Sequence, residues 1–235
     1  MIERIDNGLQ IAVLAACGGV ALIRALRSRG KPWTLLALFY GSWLLGDVYW
    51  AVCLFFYGQT PQISVVSDLS WYASYIFLYM LLREIAPPVS RRETRLLPWL
   101  GPVFAFGMAV FFMRWGEVAS NLIYAGLMGL LLFASIRRLM DGRRIPHARL
   151  LCAVILCGCL TEYALWTASC YWAGETLANP YYWFDLLLTA GFVLLLPAAG
   201  KGRSLPRPVD EAGRRKPNEQ GSAASDQRSG TTIAN

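Results

Sequence analysis

Long apolar runs separated by short polar breaks dominate this chain. The runs fall at about Leu9–Leu26, Trp33–Phe56, Val66–Ile85, Leu96–Trp115, Asn121–Met140, Ala148–Trp172 and Tyr181–Ala199. Each approaches the roughly 20 residues that a helix needs to cross a bilayer. Pro87-Pro88, Asp141-Gly142 and Asn179-Pro180 supply breaks between runs. The pattern predicts an all-α, polytopic membrane protein with seven transmembrane helices spanning residues 1–199. Residues 200–235 carry Gly, Ser, Pro, Arg and Gln without apolar periodicity, and are expected to form a disordered basic cytoplasmic tail.

Composition agrees. Of 235 residues 56% are hydrophobic and only 16% charged, against about 25% in globular proteins. The opening Met1-Ile2-Glu3-Arg4-Ile5-Asp6 has two acids against one Arg, unlike the basic start of a secretory leader, so the first run is read as a retained helix. The net charge of +7 does not point to nucleic acid, because the basic residues sit between apolar runs or in the tail rather than on the face of a soluble domain.

Their placement orients the chain instead. All of the 22 Lys and Arg residues except Arg4 and Arg114 fall in the connections after the first, third and fifth runs or in the tail. Basic residues favour the cytoplasmic side, which predicts an N-terminus outside and a C-terminus inside, in a cell membrane, with the bacterial cytoplasmic membrane as the expected location.

Against this background four acids stand out. Asp47, Asp68, Glu162 and Asp185 lie inside or at the edge of apolar runs, where a carboxylate at the bilayer centre costs roughly 2.5–3.5 kcal/mol. With the orientation above, all four fall in the outer half of the membrane. Tyr40, Trp43, Asp47 and Trp50 share one helical stripe, and Asp68, Tyr72, Tyr75 and Tyr79 another. Glu162 has Cys159, Trp166 and Ser169 on its face, and Asp185 has Tyr181, Tyr182 and Thr189. Pointing inward, these faces would line one acidic-aromatic pocket, with Asn121 and Tyr124 as polar neighbours. The expected ligand contacts are Trp43, Asp47, Trp50, Asp68, Tyr72, Tyr75, Glu162, Trp166 and Asp185. Two other readings stay open: Ser67-Asp68 also suits a helix N-terminus, and Tyr171, Trp172, Tyr181 and Trp183 suit an interfacial belt.

Asp47 and Asp68 are 21 residues apart and Glu162 and Asp185 are 23 apart, a spacing echo that suggests a 3+1+3 repeat. Six cysteines (Cys17, Cys53, Cys152, Cys157, Cys159, Cys170) lie in apolar runs without C-x-x-C spacing and read as buried thiols. Cys53 and Cys170 share a membrane face, and a disulfide between them is left open.

The stretch Leu45-Gly46-Asp47-Val48-Tyr49-Trp50, followed by Gly58, Pro61, Ser67-Asp68, Trp71 and Tyr75, resembles the multi-helix N-terminal membrane regions of bacterial sensors of the diguanylate cyclase type. The resemblance covers helices 2 and 3 only, and the output domain of those sensors has no counterpart here. It implies a sensing role, with Asp47, Trp50, Asp68, Trp71 and Tyr75 in the site and a separate signalling partner.

Several chemistries are disfavoured. Lys31, Lys201 and Lys216 lie outside helix cores, so a retinal Schiff base has no lysine. The single histidine, His147, lies in a basic loop, which argues against zinc or Ser–His catalysis in the membrane. No metal and no cofactor is expected. Carboxyl chemistry survives, since a carboxyl withdrawn from water retains its proton more readily and can act as an acid. The leading expectation is therefore a membrane protein that binds or senses a small ligand in an outward-facing intramembrane pocket. An intramembrane enzyme using Asp47 or Glu162 as general acid on a lipid or isoprenoid is the alternative, and a small-solute carrier the third.

Overall fold

The computed structural model describes residues 2–58, 65–86, 96–140 and 148–201. Among them the secondary structure is entirely helical. The principal helices are α1 (Ile2–Ser28), α2 (Lys31–Val52), α3 (Val65–Ile85), α4 (Leu100–Phe112), α5 (Val118–Met140), α6 (Arg149–Tyr171) and α7 (Pro180–Lys201). Six of these are long and apolar enough to cross a membrane. Their outward positions carry large apolar side chains such as Leu22, Leu45, Ile76, Phe106, Leu160 and Leu187, the reverse of a soluble helical bundle, where outward faces are polar. The chain is a helical membrane protein.

Three boundaries differ from the hydropathy pattern. The first helix starts at Ile2 rather than Leu9, because Glu3, Asp6, Asn7 and Gln10 lie on one helical face and continue the helix instead of preceding it. The fourth run yields a turn of 3-10 helix (Leu97–Trp99) and then only the 13 residues of α4. Pro98 is placed where a helix start tolerates it, and the chain leaves α4 through a turn ending at Gly116. Together Leu97–Phe112 rise about 24 Å, short of a roughly 30 Å hydrocarbon core. The last helix runs two residues past the expected domain edge, to Lys201; the rest of the expected tail lies outside the described residues. At the end of α2 the helix widens into a π-turn, Cys53–Tyr57, closed by Gly58 in the left-handed conformation at φ 67°.

Six helices close into a ring in the order α1, α2, α3, α5, α6, α7 and back to α1, while α4 packs against α5. Exchanging α1–α3 for α5–α7 preserves the ring order but not the α4 contact, which falls on α5 and not on α1. Close approach is built in where Gly101 meets the α5 backbone at Leu132 and Phe133, since a Cβ at Gly101 would fall 2.7 Å from the Leu132 Cβ.

Each ring helix turns one stripe inward, and the stripe changes character along its length. On α1 it reads Glu3, Asn7, Gln10, then Leu14, Cys17, Ala21 and Ala25; on α7 Tyr181, Asp185, then Leu188, Phe192, Leu195 and Ala199. The apolar halves form the core, with Leu14, Leu36, Leu81, Leu82, Met128, Leu131 and Leu151 essentially inaccessible. The polar and aromatic halves all lie at the opposite end of the bundle. One hydrogen bond marks the change of layer, from the Tyr40 hydroxyl to the Phe192 carbonyl at 2.6 Å.

Candidate functional site

The polar halves enclose a half-open cavity of about 650 Å³. Asp47, Asp68, Glu162 and Asp185 all line it, so the four acids that hydropathy singled out meet in one space. They occupy two tiers. Asp47 and Glu162 lie nine or ten residues from the helix ends at Tyr57 and Tyr171, about 14–15 Å along the axis. Asp68 and Asp185 lie within the first turn and a half of α3 and α7. Asp68 is three residues inside α3, so it does not hold the N-cap position that Ser67-Asp68 suggested; its nearest described neighbours include the Tyr124 hydroxyl.

Each deep acid is positioned by a distinct device. Asp47 accepts one hydrogen bond, from the Trp71 indole at 3.1 Å. That contact crosses directly over Gly46: a Cβ there would fall 2.7 Å from the Trp71 Nε1, so only glycine lets the indole reach the next residue along. The other carboxyl oxygen of Asp47 is buried and has no hydrogen-bond partner, an arrangement that costs energy unless something completes it. Glu162 is 6% exposed and faces Asp47 and the Tyr75 hydroxyl. Asp185, 5% exposed, accepts a 2.9 Å hydrogen bond from the Gln10 side chain and lies against Asp6.

The walls are aromatic. Trp43, Trp50, Trp71, Trp115 and Trp166 line the cavity, Trp50 and Trp71 meeting at a tilt with ring centroids 6.0 Å apart and Trp166 meeting Tyr124 edge-on at 4.8 Å. Beneath them Trp43 packs on Tyr75 at 5.4 Å and on Phe192 at 4.8 Å, forming a floor over the apolar core. A void of about 30 Å³ lies below, still touching Glu162.

Of the nine expected ligand contacts, Trp43, Asp47, Trp50, Asp68, Glu162, Trp166 and Asp185 line the cavity. Tyr72 and Tyr75 stand behind the lining. The Tyr72 hydroxyl shares a 2.7 Å hydrogen bond with Ser120, and Tyr75 is buried against Trp43 and Tyr124. The face of α3 is turned by one residue from the tyrosine stripe, so that Asp68, Trp71 and Tyr75 follow one another inward. Trp71, which the sensor resemblance placed in the site, lines the cavity, whereas Glu3, Asn7 and Gln10 of α1, Trp115, Glu117 and Ser120 were not foreseen as wall residues. The i, i+4, i+7 spacing of Glu3, Asn7 and Gln10 was the available signal for the first three. Trp115 and Glu117 come from the connection between α4 and α5, where periodicity gives no guidance. All six cysteines, Cys53 and Cys170 included, are free thiols.

Among the described residues that line the cavity, none is Lys or Arg. Arg4 and Arg114, at the same end of the bundle, lie over the rings of Phe55 and Trp115 at 5.5 and 5.3 Å. Comparison with protein-family models, with curated proteins and with solved structures finds no match for the chain.

Proposed function

We propose that this protein binds a small ligand, as a receptor or sensor, in a cavity open to the outside of a bacterial cytoplasmic membrane. The observation that carries the reading is the convergence of carboxyl groups from α2, α3, α6 and α7 on one tryptophan-walled space, with a buried Asp47 oxygen left unpaired. Most small-ligand sites are mostly apolar clefts of about 300–1,000 Å³ with a few placed polar groups, and the volume of this cavity falls within that range.

Orientation and span number rest on the same frame. The described basic residues Arg27, Lys31, Arg83, Arg137 and Arg149 lie at helix ends opposite the cavity, which supports an outward-facing cavity by the positive-inside tendency. α3 ends at the basic end and α5 begins beside the cavity, which supports reading the α4 segment as a seventh, shorter span.

Filling the cavity tests the reading. The purified chain in lipid nanodiscs is screened against a chemically mixed set of small molecules by tryptophan fluorescence. Compounds that bind the natural chain are expected to lose binding to Ser169→Trp, a variant with a cavity wall residue enlarged. Binding of every compound unchanged by Ser169→Trp and by Ser120→Trp would sink the proposal. The unpaired Asp47 oxygen also favours a second reading, a carboxyl-acid enzyme on a lipid or isoprenoid. Turnover lost in Asp47→Asn with affinity intact is the result that would select it.

A further inference from the structure

We infer that the ligand is an organic cation, an amine or quaternary ammonium carried on an apolar or aromatic body. The inference rests on the cavity being a binding site, and concerns the class of molecule that fills it. Among the described lining residues six are carboxylic acids, the four intramembrane acids together with Glu3 and Glu117, and none is basic. A cation is the ligand charge that complements these carboxyl groups where they ionise; an anion would be repelled by them, and a neutral ligand gains nothing from their charge.

The acids are also spread rather than gathered. Among the described residues no group of three or more His, Cys, Asp or Glu side chains stands close enough to hold a metal ion, and about 650 Å³ far exceeds a single inorganic ion. A larger cation can reach the unpaired Asp47 oxygen and Glu162 with its charged centre while its body lies on Trp43, Trp50 or Trp166. Tryptophan is the best ring for this, since its face attracts cations. Arg4 and Arg114, which could have competed as internal counter-charges, are not among the lining residues and lie over the rings of Phe55 and of the wall residue Trp115.

The experiment is a charge-isostere titration of the full chain in amine-free buffer. Nanodiscs of phosphatidylglycerol are used, because phosphatidylcholine would itself present a quaternary ammonium. The probes are benzyltrimethylammonium, its neutral isostere with carbon in place of nitrogen, phenylacetate as an anion, and glucose, all read by tryptophan fluorescence. The cation is expected to bind saturably and the other three at least about tenfold more weakly. Glu162→Gln and Asp47→Asn should each weaken the cation by about tenfold and leave the neutral isostere unchanged. Trp166→Leu should weaken it by about threefold, and serves where a carboxyl variant does not fold. Equal binding of cation and isostere, preference for glucose or phenylacetate, or no binding of the cation would each overturn the inference. Cavity binding itself would survive those outcomes so long as the fluorescence screen still finds compounds displaced by Ser169→Trp.

Discussion

Two ionisable side chains from opposite ends of the bundle, the buried Arg138 and the half-buried Asp47, have their hydrogen-bonding capacity met to different extents. Arg138 on α5 is 7% exposed. Its Nε donates to the carbonyl of Ala86, just past the end of α3, and its Nη1 to the Ala134 carbonyl at 3.0 Å. The last carbonyls of a helix lack partners within it, and Arg138 supplies one from a neighbouring helix. Its hydrogen bonding is spent on the fold. Asp47, by contrast, has one oxygen held by Trp71 and the other buried without a partner beside an open cavity. A buried charge with its partners in place is a structural clamp, and one left incomplete beside empty space is available to a ligand.

If that distinction is right, Arg138 should show the largest cost in stability. Arg138→Ala removes the donors to two carbonyls and is expected to destabilise by about 3 kcal/mol, read by reversible unfolding in mixed micelles. Arg138→Lys should recover only part, since one ammonium cannot reproduce the guanidinium fork. A cost of under about 1 kcal/mol for Arg138→Ala would erase the contrast.

Gly46 comes next, because it lets Trp71 reach Asp47. Gly46→Ala places a Cβ 2.7 Å from the indole nitrogen and is expected to cost about 2 kcal/mol through the forced shift of a large ring. The same shift removes the one hydrogen bond of Asp47, so tryptophan emission should change with the loss of stability. Unchanged stability and emission would mean that the close approach is easily relieved and does not position the acid.

How much of this could be read from the sequence follows from the kind of signal each feature carries. Hydropathy shows the long helices, because a bilayer demands uninterrupted apolar length and the sequence has to supply it. It also finds the four acids, since each interrupts such a run. The start of α1 is harder. Glu3, Asp6, Asn7 and Gln10 resemble a polar leader by composition, and only their spacing shows them to be an inward face. The turn of α3 is harder still, because residues three and four along a helix flank the same face, and a row of tyrosines at 72, 75 and 79 competes with Trp71 and Leu78. Side chains from the Trp115–Glu117 connection are invisible to any periodic argument. The shortness of α4 depends on where a turn forms around Arg114 and Gly116, which apolar content alone does not determine.

Gln10 tests the part of the site that composition hid. It donates to Asp185 across the α1–α7 contact, joining the first and last helices of the ring. Gln10→Ala should cost about 1 kcal/mol, the scale of a net hydrogen bond, by the same unfolding measurement. A loss comparable to that of Arg138→Ala would make Asp185 a structural group, and would remove it from the set of acids available to a ligand.

The smallest expected effect on stability is the most discriminating. Glu162 is as buried as Arg138, yet no described side chain forms an ion pair with it, and its neighbours are Tyr75, Asp47 and the cavity. Glu162→Gln keeps the shape and leaves an amide that can face the same tyrosine. Because an amide is less costly than a carboxylate within a bilayer, the change in stability should stay within about 0.5 kcal/mol or be slightly favourable. Two equally buried ionisable residues would then differ by several-fold in what they contribute to folding. The order should reverse for binding of benzyltrimethylammonium, lost on changing Glu162 and retained in whatever fraction of Arg138→Lys folds. A Glu162→Gln protein that unfolds as readily as Arg138→Ala would show that the cavity acid, too, is part of the scaffold.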